Sequence, residues 1–147
     1  MVMGGDGVFL LSKKDLNLNQ ILESFLSLSK EPFMVQKYLP EIIRGDKRII
    51  LINGKPVGAI ARVPKQNEIR SNIHVGGSAK KVSISKSDHA ICDAIGPELK
   101  KRKLFFVGID IIGKYLTEIN VTSPTCLIEI KKLSKVDIAK IIWNQLA

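Results

Sequence analysis

Asn53-Gly54 stands between two apolar runs, 48–52 and 57–63, and constrains the fold more than any other short feature. The pair suits the two-residue turns whose backbone twist matches that of antiparallel strands. It predicts a β-hairpin. A second pair of alternating runs, 105–112 and 116–121, predicts another hairpin further along the chain. Helical signals lie around them. From 18 to 28 the apolar residues follow a helical stripe, opened by Asn17 as cap with Gln20 three residues on. Ser87 is expected to cap a helix carrying Ile91, Ala94, Ile95 and Leu99, which Pro97 should kink or divide. Ser134 and Asp137 read as the capping box of a last helix to Leu146. A short strand at 8–11 and an extended segment at 34–39, stopped by Pro40, complete the pattern. Hairpins interspersed with helices indicate an α+β fold, an antiparallel sheet with packed helices.

Residues 64–81 lack periodicity and are polar, with Pro64, Asn67, Asn72, Gly76, Gly77, Lys80 and Lys81. Loops this long in compact domains are usually functional or disordered, so the stretch is a lid candidate. At 147 residues and 16.3 kDa the chain makes one domain, large enough to bury a core without disulfides. Cys92 and Cys126 therefore read as reduced thiols, and a cytoplasmic protein is expected. No apolar run reaches the ~20 residues of a membrane span, and the first nine residues lack the pattern of a signal peptide. Twenty-three Lys+Arg against fourteen Asp+Glu leave a net charge of +9, which favours an anionic partner. A basic nucleic-acid-binding module has only that charge behind it, because aromatics amount to 5% and the basic residues are scattered.

Register decides the chemistry of the second hairpin. Gathering Phe105, Val107, Ile109 and Ile111 with Ile119 and Val121 requires odd positions to pair with odd. A two-residue turn at Gly113-Lys114 alone fails this test, so an odd-numbered loop or a bulge is needed. Asp110, Glu118 and Asn120 then share the other face. Two carboxylates and an amide oxygen suit Mg²⁺, which takes one or two carboxylates plus phosphate oxygens. A solvated polar sheet face is the alternative. Arg48 and Arg62 lie in apolar strands and need an anionic ligand or a structural partner, with Asp46, Glu68 and Glu118 as candidates. The glycine clusters at 3–7 and 75–78 match no phosphate-loop or dinucleotide fingerprint and are compatible with ordinary turns.

Longer motifs identify a relative. Gln36-Lys37-Tyr38-Leu39-Pro40, Gly45-Asp46-Lys47-Arg48, Ala61-Arg62-Val63-Pro64, Arg70-Ser71-Asn72, Ile95-Gly96-Pro97 and Phe106-Val107-Gly108-Ile109-Asp110-Ile111-Ile112-Gly113 occur in order. Leu116-Thr117-Glu118-Ile119-Asn120-Val121-Thr122-Ser123-Pro124-Thr125 closes the series. Over 35–125 the chain closely resembles the carboxy-terminal part of bacterial glutathione synthetase, an ATP-grasp ligase. The resemblance implies that residues 1–147 form the carboxy-terminal half of an ATP-grasp domain. It also implies formation of glutathione from γ-glutamylcysteine and glycine through an acyl phosphate, with ATP and Mg²⁺ or the similar Mn²⁺. Gln36, Lys37, Tyr38 and Leu39 would hold adenine, Asp46 the ribose, and Gly4 and Gly5 would belong to a glycine-rich loop. Asp110, Glu118 and Asn120 would hold the metal, and Arg48 and Arg62 would stabilise the transferring phosphoryl group. Arg70 and Asn72 would belong to the substrate-covering lid, and Ser123 and Thr125 would border the substrate site.

The resemblance has two departures. Val2 stands where the family has another glycine, and the amino-terminal substrate domain and first half of the ATP-grasp domain are not represented. The chain is thus expected to be a truncated product, inactive alone or a nucleotide-binding remnant, unless another copy or chain completes it. A different ATP-grasp carboxylate–amine ligase is a further alternative. The other departure concerns the arginines. A two-residue Asn53-Gly54 turn pairs 52 with 55 and sends Arg48 and Arg62 to opposite faces; a shared site needs a longer odd loop or a bulge near Pro56.

Overall fold

The computed structural model describes residues 8–28, 30, 32–66, 71 and 76–146. Its elements are α1 (Leu18–Leu28), a 3₁₀ turn (Pro40–Arg44), β1 (Asp46–Ile52), β2 (Lys55–Val63), β3 (Ser78–Lys81), α2 (Lys86–Lys101), β4 (Phe106–Ile112), β5 (Tyr115–Asn120), α3 (Leu127–Ser134) and α4 (Ile138–Leu146). The five strands form one antiparallel sheet in the order β3-β2-β1-β4-β5. The expected α+β class holds. Both expected hairpins form, and β1 joins them by pairing with β4.

Each hairpin has a tight turn followed by a bulge. At the first turn Asn53 and Gly54 have φ of 48° and 70°, both in the left-handed region that a type I′ turn demands. Ile52 faces Lys55 and Leu51 faces Pro56, but Ile50 faces Gly58, so Val57 is the extra residue. In the second hairpin Ile112 faces Tyr115 and Ile111 faces Leu116, but Asp110 faces Glu118, so Thr117 is extra. One added residue in a strand exchanges its faces beyond that point. Gly113-Lys114 does turn in two residues, and the bulge at Thr117 restores odd-with-odd pairing.

Helices cover both sides of the sheet. On one face Ile49, Leu51, Ala59, Val107, Ile109 and Ile111 pack against Cys92 and Leu99 of α2. On the other, Ile50, Ile52 and Ile60 pack against Cys126, Ile130 and Ile138 around α3 and α4. That second face is apolar only near the hairpin turn at Asn53-Gly54. Toward the start of β1 it becomes charged.

Several local expectations need correction. Residues 8–11 form no strand; the Phe9 ring instead meets Phe25 of α1 edge-on at 5.1 Å, which orders the segment locally without a sheet partner. The segment at 34–39 also joins no strand, and Met34 and Val35 are exposed. The 64–81 loop ends earlier than expected, because Ser78–Lys81 pairs with β2 as an edge strand. Ser85, not Ser87, caps α2: its side chain accepts from the Asp88 amide, and Asp88 accepts from the Ser85 amide in return. Pro97 does not divide α2. The preceding Gly96 has no Cβ to clash with the proline ring, and its bare backbone lies against the Gly54 carbonyl. Ser134 ends α3, an unforeseen helix, with its Oγ donating to the Ile130 carbonyl, while Asp137 alone accepts from the Lys140 amide at the start of α4. Among the described residues, no helix is long and apolar enough to cross a membrane.

Candidate functional site

The two bulges assemble a charged cluster at one end of the α3/α4 face. Asp46 faces Arg62 across β1 and β2, and Arg48 faces Asp110 across β1 and β4. Glu118 faces Asp110 and Asn120 faces Gly108 across β4 and β5. All six side chains therefore project from the same sheet face. Were Val57 paired in regular register instead of bulged out, Arg62 would leave this face; were Thr117 so paired, Glu118 and Asn120 would leave it. The Thr117 hydroxyl donates to the Asp110 carbonyl at 3.1 Å and pins the second bulge beside the carboxylate that it serves.

Asp46, Arg48, Arg62 and Asp110 are buried and form a continuous ion-pair network. Arg48 donates through Nε to Asp110 Oδ1 and through Nη2 to Oδ2 at 2.8 Å. Arg62 donates through Nε to Asp46 Oδ1 at 2.9 Å and through Nη2 to Asp46 Oδ2. The same Arg62 Nη2 lies 2.8 Å from Asp110 Oδ2, so Asp110 bridges the arginines. The structural-partner expectation is met by Asp46, which accepts two hydrogen bonds from Arg62. Buried pairs of this kind are specific in geometry, and removing one partner strands an uncompensated charge.

Electrostatics separate the two candidate metal carboxylates. Burial pushes the Asp110 pKa upward, but the Arg48 hydrogen bonds and both guanidinium charges prevail and hold it below the ordinary range. Glu118 moves the other way: burial raises its pKa, the neighbouring Asp110 charge raises it further, and the arginines only partly offset this. Burial lowers the proton affinity of Arg62, but the Asp46 hydrogen bonds and the charges of Asp110 and Asp46 more than reverse it.

Among the described residues no group of three or more His, Cys, Asp or Glu is gathered as a metal site. The candidate set contains two carboxylates and an amide, all hard oxygen donors. It fits a divalent cation with phosphate on one further observation. Asn120 Nδ2 is buried without a hydrogen-bond partner, a donor that a phosphate oxygen could satisfy.

The remaining candidates divide into two groups. Thr125 Oγ1 is 3.4 Å from Arg48 Nη1, at the border of the cluster, and Ser123 lies two residues away in the same turn with φ of 47°. Gln36, Lys37, Tyr38 and Leu39 lie outside the sheet and outside any helix, with Leu39 extended; Tyr38 is exposed. Gly4, Gly5, Arg70 and Asn72 lie outside the described residues, as do 67–70 and 72–75 of the lid expected at 64–81; within it Ser71 is buried. The structure adds Gly108 and Pro124, which sequence reasoning passed over. A Cβ on Gly108 would come within 2.8 Å of Pro124 Cβ, so the missing side chain lets the 122–125 turn sit on the sheet and carry Thr125 to Arg48. The signal for such a contact was the single glycine inside the apolar strand 105–112.

Comparison with known proteins supplies the wider context. Residues 1–135 match the ATP-grasp domain of prokaryotic glutathione synthetase. The glutathione synthetase of Mesorhizobium japonicum is 51% identical over 141 residues, covering 96% of this chain and 45% of that protein. That of Agrobacterium fabrum is 48% identical over 141 residues, covering 96% and 44%. That of Synechococcus elongatus is 51% identical over 134 residues, covering 91% and 42%. The chain thus spans less than half the length of these curated relatives. With a family match over most of its length, the chain belongs to the prokaryotic glutathione synthetase ATP-grasp domain family.

Proposed function

We propose that this chain supplies the metal- and phosphate-binding face of an ATP-dependent ligase that joins γ-glutamylcysteine to glycine. The observation that carries it is the convergence of Arg48, Arg62, Asp110, Glu118 and Asn120 on one sheet face of a chain about half identical to glutathione synthetases. In such a ligase the dipeptide carboxylate attacks the γ-phosphorus of ATP and ADP leaves. The glycine amine then attacks the acyl carbon and phosphate departs.

Each side chain has a part in that chemistry. Asp110, Glu118 and Asn120 would hold Mg²⁺, or Mn²⁺ in its place, which when bound neutralises phosphate oxygens. Arg62 is held in place by Asp46, so it meets charge developing on the phosphoryl group and tetrahedral intermediate without reorganising first, and Arg48 meets the same charge from its place beside Asp110. Asp46 accepts two bonds from Arg62, and a carboxylate has about four acceptor positions, so lone pairs remain for a ribose hydroxyl. Ser123 and Thr125 border the dipeptide or glycine. Gln36 to Leu39 would hold adenine, Gly4 and Gly5 would belong to a glycine-rich loop, and Arg70 and Asn72 would belong to a lid between β2 and β3 that keeps water from the acyl phosphate. ATP and a thiol dipeptide are cytoplasmic reactants, and the free, buried Cys92 and Cys126 agree with a reducing compartment.

Binding of Mn²⁺ with a non-hydrolysable ATP analogue, followed by electron paramagnetic resonance, tests the site. Wild-type chain should bind the pair, and Glu118→Gln and Asn120→Ala should each weaken it at least about tenfold, as loss of a metal donor does. Unchanged binding in both variants would remove the metal from this face.

A further inference from the structure

We infer that Arg48 makes the site selective for a divalent cation arriving with a polyanion, by occupying Asp110 whenever the anion is absent. The inference rests on the metal assignment of Asp110, Glu118 and Asn120 proposed above. Asp110 receives Arg48 Nε on one oxygen, and Arg48 Nη2 and Arg62 Nη2 on the other, each of these last two at 2.8 Å. Three of its roughly four acceptor positions are thereby taken, and the residue is 2% exposed. A bare cation must displace arginine to reach this carboxylate. Doing so would strand an uncompensated buried guanidinium, which opposes the exchange.

The two arginines differ in what they can release. Arg62 has a second carboxylate of its own, Asp46, and remains paired if it leaves Asp110. Arg48 has none among the described residues; its other contact is the Thr125 hydroxyl at 3.4 Å. Arg48 is therefore the exchanging arm and Arg62 the fixed one. When a polyphosphate oxygen takes Arg48, Asp110 is freed for the cation with every charge still paired. Anion and cation then raise each other's affinity, as linkage requires. The site is gated by a swap of counter-ions, with no movement of the backbone.

The test is Mn²⁺ binding to the full chain by electron paramagnetic resonance, alone and with inorganic tripolyphosphate. Wild type should bind Mn²⁺ weakly alone. Arg48→Met should bind Mn²⁺ alone about tenfold more tightly, within the usual range of coupling between sites, and should lose most of the enhancement by tripolyphosphate. Lys47→Met deletes the same charge one residue away, but Lys47 pairs with Asp88 and neither arginine, so it should behave like wild type. Equal tightening in Arg48→Met and Lys47→Met would overturn the inference and leave the metal assignment standing, provided Glu118→Gln still weakens binding. No Mn²⁺ bound to any form, with or without tripolyphosphate, would overturn the metal assignment and the inference with it. Because Arg48→Met could unfold, the Arg48 Nε–H resonance of wild type gives an independent reading. It should move with Mg²⁺ plus tripolyphosphate and stay with Mg²⁺ alone; a shift with Mg²⁺ alone would overturn the exchange.

Discussion

Asp110 stands directly across from Arg48 in the β1–β4 pairing, and the two side chains meet as a buried two-point ion pair. That pairing joins the two hairpins electrostatically as well as through the backbone. It also puts the candidate metal carboxylate and the candidate phosphoryl-stabilising arginine in contact before any ligand arrives.

Asp110→Asn should therefore be strongly destabilising. It removes the carboxylate charge shared by two buried guanidiniums, a loss of about 3–5 kcal/mol for a broken buried pair. Arg102→Ala breaks the exposed Arg102–Glu98 pair and should cost at most about 1 kcal/mol. Urea midpoints of the two variants against wild type check the contrast.

The pH dependence carries opposite signs at neighbouring carboxylates. Asp110 has a lowered folded pKa, so its contribution is present above the unfolded carboxylate range and lost as pH falls through the folded value. Glu118 has a raised folded pKa, so the folded state holds that proton more tightly than the unfolded one. Its contribution is fully present below the unfolded pKa and fades as pH rises through the folded value. Glu118→Gln should thus remove a decline in stability above the ordinary glutamate range, and at neutral pH it should be no less stable than wild type. Urea midpoints across pH 4 to 8, roughly the span of ordinary and raised carboxylate values, measure it.

Gly108→Ala should displace the 122–125 turn. The added methyl would meet Pro124 Cβ at 2.8 Å, and overpacking of this kind costs about 1–3 kcal/mol. The accompanying sign is local: Thr125 moves off Arg48, which a shift in the Arg48 side-chain resonance reports.

Deleting Thr117 removes the extra residue and leaves Leu116 followed directly by Glu118, so Glu118 should stay opposite Asp110 and Asn120 opposite Gly108 in an unbulged hairpin. Mn²⁺–nucleotide binding should be retained. Thr117→Val keeps the residue count and removes just the hydroxyl bond to Asp110, so it should cost about 1 kcal/mol and retain binding.

Much of this arrangement was legible in residue order, and the reason is parity. The odd-with-odd requirement called for a bulge or an odd loop, and Thr117 is that bulge, which puts Ile119 opposite Ile109; Phe105 departs from the expected set, because it precedes β4 and packs against the α3/α4 cluster on the other face. For Arg48 and Arg62 the flanking runs are apolar on both faces, so alternation was silent; the extra residue Val57 settles it in the fold. Ser78–Lys81 was read as loop because an edge strand of four mostly polar residues has no core face to announce it. Helix α3 escapes the sequence pattern because it is short and follows Cys126, a non-glycine cap residue with φ of 84° that no capping rule anticipates. The ion-pair network could be narrowed to candidate partners, but choosing Asp110 for Arg48 needed the β1–β4 register, a pairing between distant hairpins that turn chemistry does not specify.

The most direct measurement joins this chain to the preceding portion of the Mesorhizobium japonicum glutathione synthetase, replacing the 45% of that protein that it matches. Glutathione and ADP are then followed together with ATP, Mg²⁺, γ-glutamylcysteine and glycine as reactants. The expected result is one ADP per glutathione, with a loss of about 10²–10³ in rate for Arg48→Met and for Glu118→Gln, as for removal of a preorganised electrostatic group. A folded, nucleotide-binding chimera that forms no glutathione, or one whose turnover survives both substitutions, would contradict the assignment of this sheet face to the ligase reaction.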